Sequence, residues 1–238
     1  FAMAMYAAGA IGLYNAAFAL MLPAVMIGAG FRETRALALQ LWADWHAPEP
    51  RKLTLLTMTA YGVICIGIIY LGILSPDSLN YDAAWSHQVI AQEYARNGRI
   101  VPFVADYNRN VPHLASLIYT WGYLLPGNNN AVKYMISLHG EFALFLWTLA
   151  SVSAAMRAML DDPTLRRGWL SFWLFPIIFV YDNNLGGASD HVCGFFSVPI
   201  ALAALRLCER FSPGAAGLFA IAGAGAVLTK FQALFLVL

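Results

Sequence analysis

Asp82 stands in SPDSLNYDAAWSHQ (residues 75–88), directly after an uncharged apolar run, Leu53–Leu74. A carboxylate held rigidly at such a junction can orient an incoming hydroxyl and accept its proton. It can also cap the free N–H groups of a helix that begins just after it, gaining from the helix dipole. The two roles are compatible, because the dipole keeps the carboxylate ionised while limiting its strength as a base. Asp77, in the preceding Pro-containing turn, reads as a second acid, a cation ligand or a solvated loop residue. Asp190 and His191 lie in NNLGGASDHVCG, where the glycines permit a tight turn and Asp190 can equally cap a helix from Val192. Lys230 lies late in the last apolar run, about 17 residues and so roughly 25 Å along a helix. A cation at that height, beside two carboxylates, suits a phosphate-bearing lipid, with snorkelling as the alternative.

The elements that must position these groups are apolar. The chain is 60% hydrophobic and 11% charged, with a mean hydropathy of +0.62. Soluble domains are nearer 45–50% apolar and about 25% charged, so this composition predicts residence in lipid. Leu53–Leu74 is about 22 residues, or roughly 33 Å as a helix, against a hydrocarbon core of about 30 Å. The apolar runs do not alternate as barrel strands do, so the expected spans are helices. They fall at 4–30, 53–74, 131–156, 168–181, 192–208 and 214–238. A net charge of +1 without a basic face or motif gives no sign of nucleic-acid binding. Cys65, Cys193 and Cys208 have no metal spacing and read as small packing residues.

Alternating six spans sorts the connections to two sides. Three short loops on one side carry Arg32, Arg35, Arg51, Lys52, Arg157, Arg166, Arg167, Arg206 and Arg210, nine of the 14 Lys and Arg residues. The positive-inside rule makes that side cytoplasmic, so Asp77, Asp82 and Asp190 face outward. Phe31–Lys52 mixes Trp and Leu with charge and reads as a helix lying on the cytoplasmic surface. The run 168–181 is short and contains Pro176, which predicts a tilted or kinked crossing.

The long outer loop predicts two helices at the membrane rim. Ala83–Asn97 aligns Trp85, Val89, Ile90 and Tyr94 on one stripe, with Gln88, Gln92 and Arg96 elsewhere and Asn97-Gly98 as a stop. Pro112–Leu125 is rich in the aromatics that favour headgroup level. Lys133, His139 and Glu141 fall inside an apolar run. Ionisable groups at that depth mark a site or a buried polar network, and Lys133 is near enough to the rim to snorkel. His87, His113 and His191 are outward, and their spacing does not demand zinc.

Taken in order, YDAAWSHQVIAQEYARNGRI (81–100), PHLASLIY (112–119), LLPGNNNAVKY, GGASDHVCGFF and GAGAVLTKFQALFL (223–236) resemble a known pattern. The set is similar to the GT-C superfamily of polytopic glycosyltransferases, in particular the bacterial dolichyl-phosphate-mannose-protein-mannosyltransferase-like (family 39-like) enzymes. The likeness covers most of Leu53–Leu238. Many relatives follow the Asp with Tyr-His, where this chain has Ala-Ala-Trp-Ser-His.

The resemblance implies an all-α polytopic integral membrane protein, a GT-C-like helical bundle with interfacial helices in its first large outer loop. Residues 1–52 would form an N-terminal transmembrane helix plus a cytoplasmic interfacial segment. Residues 53–238 would form the core, truncated at its C-terminus, since both ends of the chain read as cut. The implied activity is inverting transfer of a sugar from a polyprenyl-phosphate donor to a hydroxyl of a lipid, glycan or protein. It would occur on the periplasmic side of a bacterial inner membrane. Asp82 would be the catalytic carboxylate, and Asp77, His87, Arg109, Asp190, His191 and Lys230 would bind substrate. No cofactor is called for, although a divalent cation is compatible with the site. The rival expectation is a non-catalytic membrane subunit or scaffold, with partners in a larger complex. A transporter ranks third, since the polar groups lie towards the rim rather than at the midplane.

Overall fold

Backbone hydrogen bonds in long apolar runs are most simply satisfied within each run, and helices follow. The computed structural model describes residues 1–46, 52–75, 81–104, 107–160 and 185–236, and every regular element among them is helical. The run expected as one span over 4–30 is two helices, α1 (Ala2–Ala10) and α2 (Ala16–Ala29). Gly12 turns through a positive φ of 76°. The Asn15 side chain then accepts a 2.9 Å bond from the Phe18 N–H, capping α2. An apolar average over the run hides both local signals.

α3 (Phe31–His46) follows Gly30, in the segment expected to be amphipathic. α4 (Lys52–Ile73) reproduces the predicted run at 53–74 to within a residue at each end. The 81–100 stretch forms a π-helical turn (Ala83–His87) running into α5 (Gln88–Asn97), closed by Gly98 in the left-handed region at φ 67°. A 3-10 turn (Tyr107–Asn110) leads to α6 (Leu114–Leu124), within the predicted Pro112–Leu125. α7 (Asn130–Leu160) is 31 residues, longer than the apolar run at 131–156. α8 (Asp190–Glu209) and α9 (Pro213–Thr229) form an antiparallel pair, followed by a 3-10 turn (Phe231–Leu236). The expected run at 168–181 lies outside the described residues.

α6 is the centre. It packs against α1, α2, α5, α7 and α9, while α8 packs between α7 and α9. One buried cluster joins α4, α6 and α7 through Ile69, Ile73, Tyr119, Leu138 and Phe145. A second joins α1 and α2 to α5 and α6 through Met5, Leu22, Ile90 and Tyr94. Glycines set the closest approaches. A Cβ at Gly122 would be 2.5 Å from Ser137 Oγ, and one at Gly225 would be 2.4 Å from the Phe196 ring. α1 and its turn are stitched to the end of α5. The Tyr14 N–H donates to the Gly98 carbonyl at 3.0 Å, and the Ile100 N–H donates to that of Gly9 at 2.9 Å.

Among the described residues, α8 is the one helix long and apolar enough to cross a membrane. Ala16–Ala29, Ala60–Ile73 and Pro213–Thr229 are apolar and shorter. Cys65 is buried and Cys193 half-buried, but Cys208 is exposed and does not pack as expected.

Candidate functional site

The π turn decides which side chains of 81–94 turn inward. It inserts one residue relative to an α-helix and so rotates everything before it. The buried face runs Ala83, Ser86, His87, Ile90, Ala91 and Tyr94, with Gln88 beside it. The stripe predicted from α-helical spacing is therefore corrected. Ile90 and Tyr94 are buried, while Trp85 and Val89 are exposed, and Gln88 belongs inside. Asp82 is already in helical conformation (φ −63°, ψ −33°), and its side chain makes no capping hydrogen bond. The capping role open to it in the sequence is not the one it takes.

Asp82, Trp85, Ser86 and His87 line one wall of a cleft of about 210 Å³. Asn110, Val111 and Pro112 line a second wall, and Ser189, Thr229, Lys230, Phe231 and Gln232 a third. Residues far apart in the chain thus share one hollow. Lys230 is not inside a helix as expected. α9 ends at Thr229, and Lys230 follows in extended conformation (φ −152°, ψ 126°). Its ammonium forms an ion pair with the Asp190 carboxylate. Asp190 opens α8, which starts two residues before the helix expected from Val192, and the dipole favours its charge there. Burial pushes the His87 imidazolium down to about 4, outweighing Asp82, the strongest of the charges acting on it. The charges of Asp190 and Lys230 also reach this ring, as does His113. His87 is therefore a neutral ring at pH 7, with Nδ1 3.1 Å from Ser116 Oγ. The buried Ser86 Oγ, in the wall of the cleft, has no hydrogen-bond partner among the described residues.

The loop that delivers Asp190 is clamped from beneath. Glu141 is fully buried in α7. Its Oε2 accepts from the Gly187 N–H at 2.8 Å, and its Oε1 is 3.1 Å from His191 Nδ1. The Tyr134 hydroxyl donates to the Gly186 carbonyl at 3.2 Å, and the Tyr119 hydroxyl donates to that of Ala188. Gly187 has a φ of +84°, and a Cβ there would come within 2.5 Å of Gln88 Nε2. The loop therefore presses directly on the π turn that carries Asp82. His191 points down into this clamp rather than into the cleft.

The expected network within α7 is present but divided. Glu141 serves the loop, whereas His139 Nε2 is 3.2 Å from the Tyr70 hydroxyl of α4. Lys133 donates to the Tyr123 carbonyl at 3.0 Å. His113 lies between the Tyr94 hydroxyl and the Asn108 carbonyl, at 2.5 and 2.7 Å. Asp77 and the Arg109 side chain lie outside the described residues, although the Arg109 backbone is in the 3-10 turn beside Asn110.

Of the residues singled out in the sequence, Asp82, His87 and Lys230 meet in one cleft, with Asp190 bound to Lys230 at its edge. Ser86, Asn110, Thr229 and Gln232 are wall residues that no motif marked. Ser86 had a signal, being a hydroxyl on the predicted rim helix, but its inward turn depends on the π geometry. No protein-family model, curated protein or solved structure matches this chain.

Proposed function

We propose that this chain belongs to a polytopic membrane glycosyltransferase of GT-C type. In this reading it moves a sugar from a polyprenyl phosphate to a hydroxyl acceptor at the outer face of the membrane. One observation carries the reading: a carboxylate, Asp82, and an amine, Lys230, line the same cleft although they are far apart in the chain. The high apolar content and the charge bias of the connecting loops support the membrane setting.

The acceptor hydroxyl sits against Asp82, and its oxygen attacks the anomeric carbon from the face opposite the phosphate. As the new C–O bond forms, the bond from that carbon to the phosphate oxygen breaks. The hydroxyl proton passes to Asp82, and the polyprenyl phosphate leaves with both electrons of the broken bond. Lys230 answers the charge developing on the departing oxygen, since an ammonium has three donors and Asp190 engages only one. Asp190 aims Lys230, and Glu141 with His191 positions Asp190. His87, neutral in the wall, contributes a hydrogen-bonding ring without adding charge. Asp77 and Arg109 remain donor or acceptor contacts proposed from the resemblance.

The test uses membranes that contain the full-length protein, supplied with a radiolabelled polyprenyl-phosphate sugar and an endogenous acceptor. Asp82→Asn keeps the shape and removes the base, a loss on the order of 10²–10⁴ in rate. Transfer by Asp82→Asn at the wild-type rate removes Asp82 from the mechanism.

A further inference from the structure

A second hollow is bordered by α5, α6 and the start of α7. It measures about 140 Å³ and is lined by Gln92, Ala95, Arg96, Tyr123, Asn130 and Lys133. It shares no lining residue with the first cleft. Among its described lining residues the charge is all of one sign, with two cations and no carboxylate. Among the described residues neither Arg96 nor Lys133 forms an ion pair. Glu93, one turn back on α5, accepts from the Asn97 amide at 2.8 Å. Lys133 is held by a single bond to the Tyr123 carbonyl, which leaves two of its three N–H donors for another acceptor. The Tyr123 hydroxyl donates to Gln88 and accepts from Gln92, so the floor is already ordered. Asn130 opens α7, whose first turn contains no acidic residue, so the positive end of a 31-residue helix adds to the field.

We propose that this hollow is a phosphate-binding site, with Arg96 as a planar fork and Lys133 as a point charge on one tetrahedral oxyanion. A guanidinium and an ammonium that share one hollow, with no carboxylate among its described lining residues, suit phosphate. The volume is several times the roughly 30 Å³ of liquid that one water occupies. The phosphate is that of a lipid headgroup or a free anion, and both offer the same oxygens. The site does not depend on the sugar-transfer reading.

The full chain in a neutral detergent is titrated by calorimetry with inorganic phosphate, a short-chain phosphatidic acid and the matching phosphate-free diacylglycerol. The expected result is saturable binding of a phosphate-bearing probe, with none for the diacylglycerol. Binding should weaken about tenfold or more in Arg96→Gln, as a charge-assisted bond is lost, and vanish in the double variant with Lys133→Gln. Arg96 is exposed on the surface of α5, so its replacement leaves the fold intact. Lys133→Arg keeps the charge and retains affinity. Preference for phosphatidic acid assigns the site to a headgroup, and equal binding of inorganic phosphate assigns it to a free anion. Lys230 is the phosphate contact of the cleft proposed for catalysis, so binding that survives in Lys230→Met and falls on adding Arg96→Gln belongs to this hollow. Wild-type affinity in Arg96→Gln and in the double variant overturns the assignment, as does absence of binding to both phosphate probes or equal binding of the diacylglycerol.

Discussion

Glu141 offers the sharpest test of how the cleft is built. It is a fully buried carboxylate whose two oxygens meet the Gly187 N–H and His191 Nδ1. Replacing it by Leu keeps the volume roughly constant but orphans both partners. An unsatisfied buried polar group costs about 1–3 kcal/mol, and two are created. Part of that loss is offset because a buried carboxylate no longer has to be desolvated, leaving a net cost of about 2–4 kcal/mol. In a chain of this size each kcal/mol moves the unfolding midpoint by about 2–4 °C, so Glu141→Leu should lower it by on the order of 10 °C. Glu141→Gln retains a carbonyl oxygen for Gly187 and an amide for His191, and should cost about 1 kcal/mol. Tryptophan fluorescence melts of the purified protein in a neutral detergent read both values. The Leu variant should also lose the proposed sugar transfer more steeply than stability, because the loop that carries Asp190 and abuts the π turn is released. A Leu variant that melts with wild type would refute the clamp. A Gln variant as damaged as Leu would show that charge, and not hydrogen-bond geometry, holds the loop.

Acid should destabilise the fold through His87. Its imidazolium is held down to about 4 in the folded state against 6.5 when solvated, so between those values only the unfolded chain takes up the proton. Stability contributed by the neutral ring is therefore complete above pH 6.5 and declines as pH falls towards 4, by roughly 3 kcal/mol in all. Melts of His87→Asn across that range should be flatter than those of wild type, and equal slopes would refute the assignment. Gly187→Ala adds a Cβ 2.5 Å from Gln88 at a positive φ and should destabilise by about 2–4 kcal/mol, as overpacking and a left-handed alanine combine. A melt within a degree of wild type would refute that. The Lys230–Asp190 pair is partly exposed, at 31% and 54% of the two side chains, so either single replacement should change stability by less than about 1 kcal/mol. The proposed transfer activity, by contrast, should be lost in Lys230→Met. A large loss of stability with activity retained would reverse that assignment.

Much of the helical framework is legible in the residues themselves. Apolar length sets α4 and α8, and Asn97-Gly98 ends α5 because glycine accepts the left-handed turn there. Glu141 is conspicuous as an ionisable residue inside an apolar run, though its partners are not. Local pattern fails where the backbone departs from α geometry. The π turn at Ala83–His87 reverses the roles of Trp85 and Gln88, and no residue type in AAWSH signals it. The end of α9 at Thr229 is equally silent, since TKFQ contains neither Gly nor Pro.

The sequence by itself determined that the chain is helical, that most of its charged residues fall outside the apolar runs, and that Asp82, Asp190 and Lys230 are the groups to watch. Only the tertiary structure decided that Lys230 leaves its helix to reach Asp190, and that both stand beside the wall bearing Asp82. The physical reason is distance along the chain. Asp190 and Lys230 are 40 residues apart, and what brings them together is the α8–α9 pairing and a loop pinned by Tyr119, Tyr134 and Glu141. Periodicity records what each helix buries, but not which helix it is buried against.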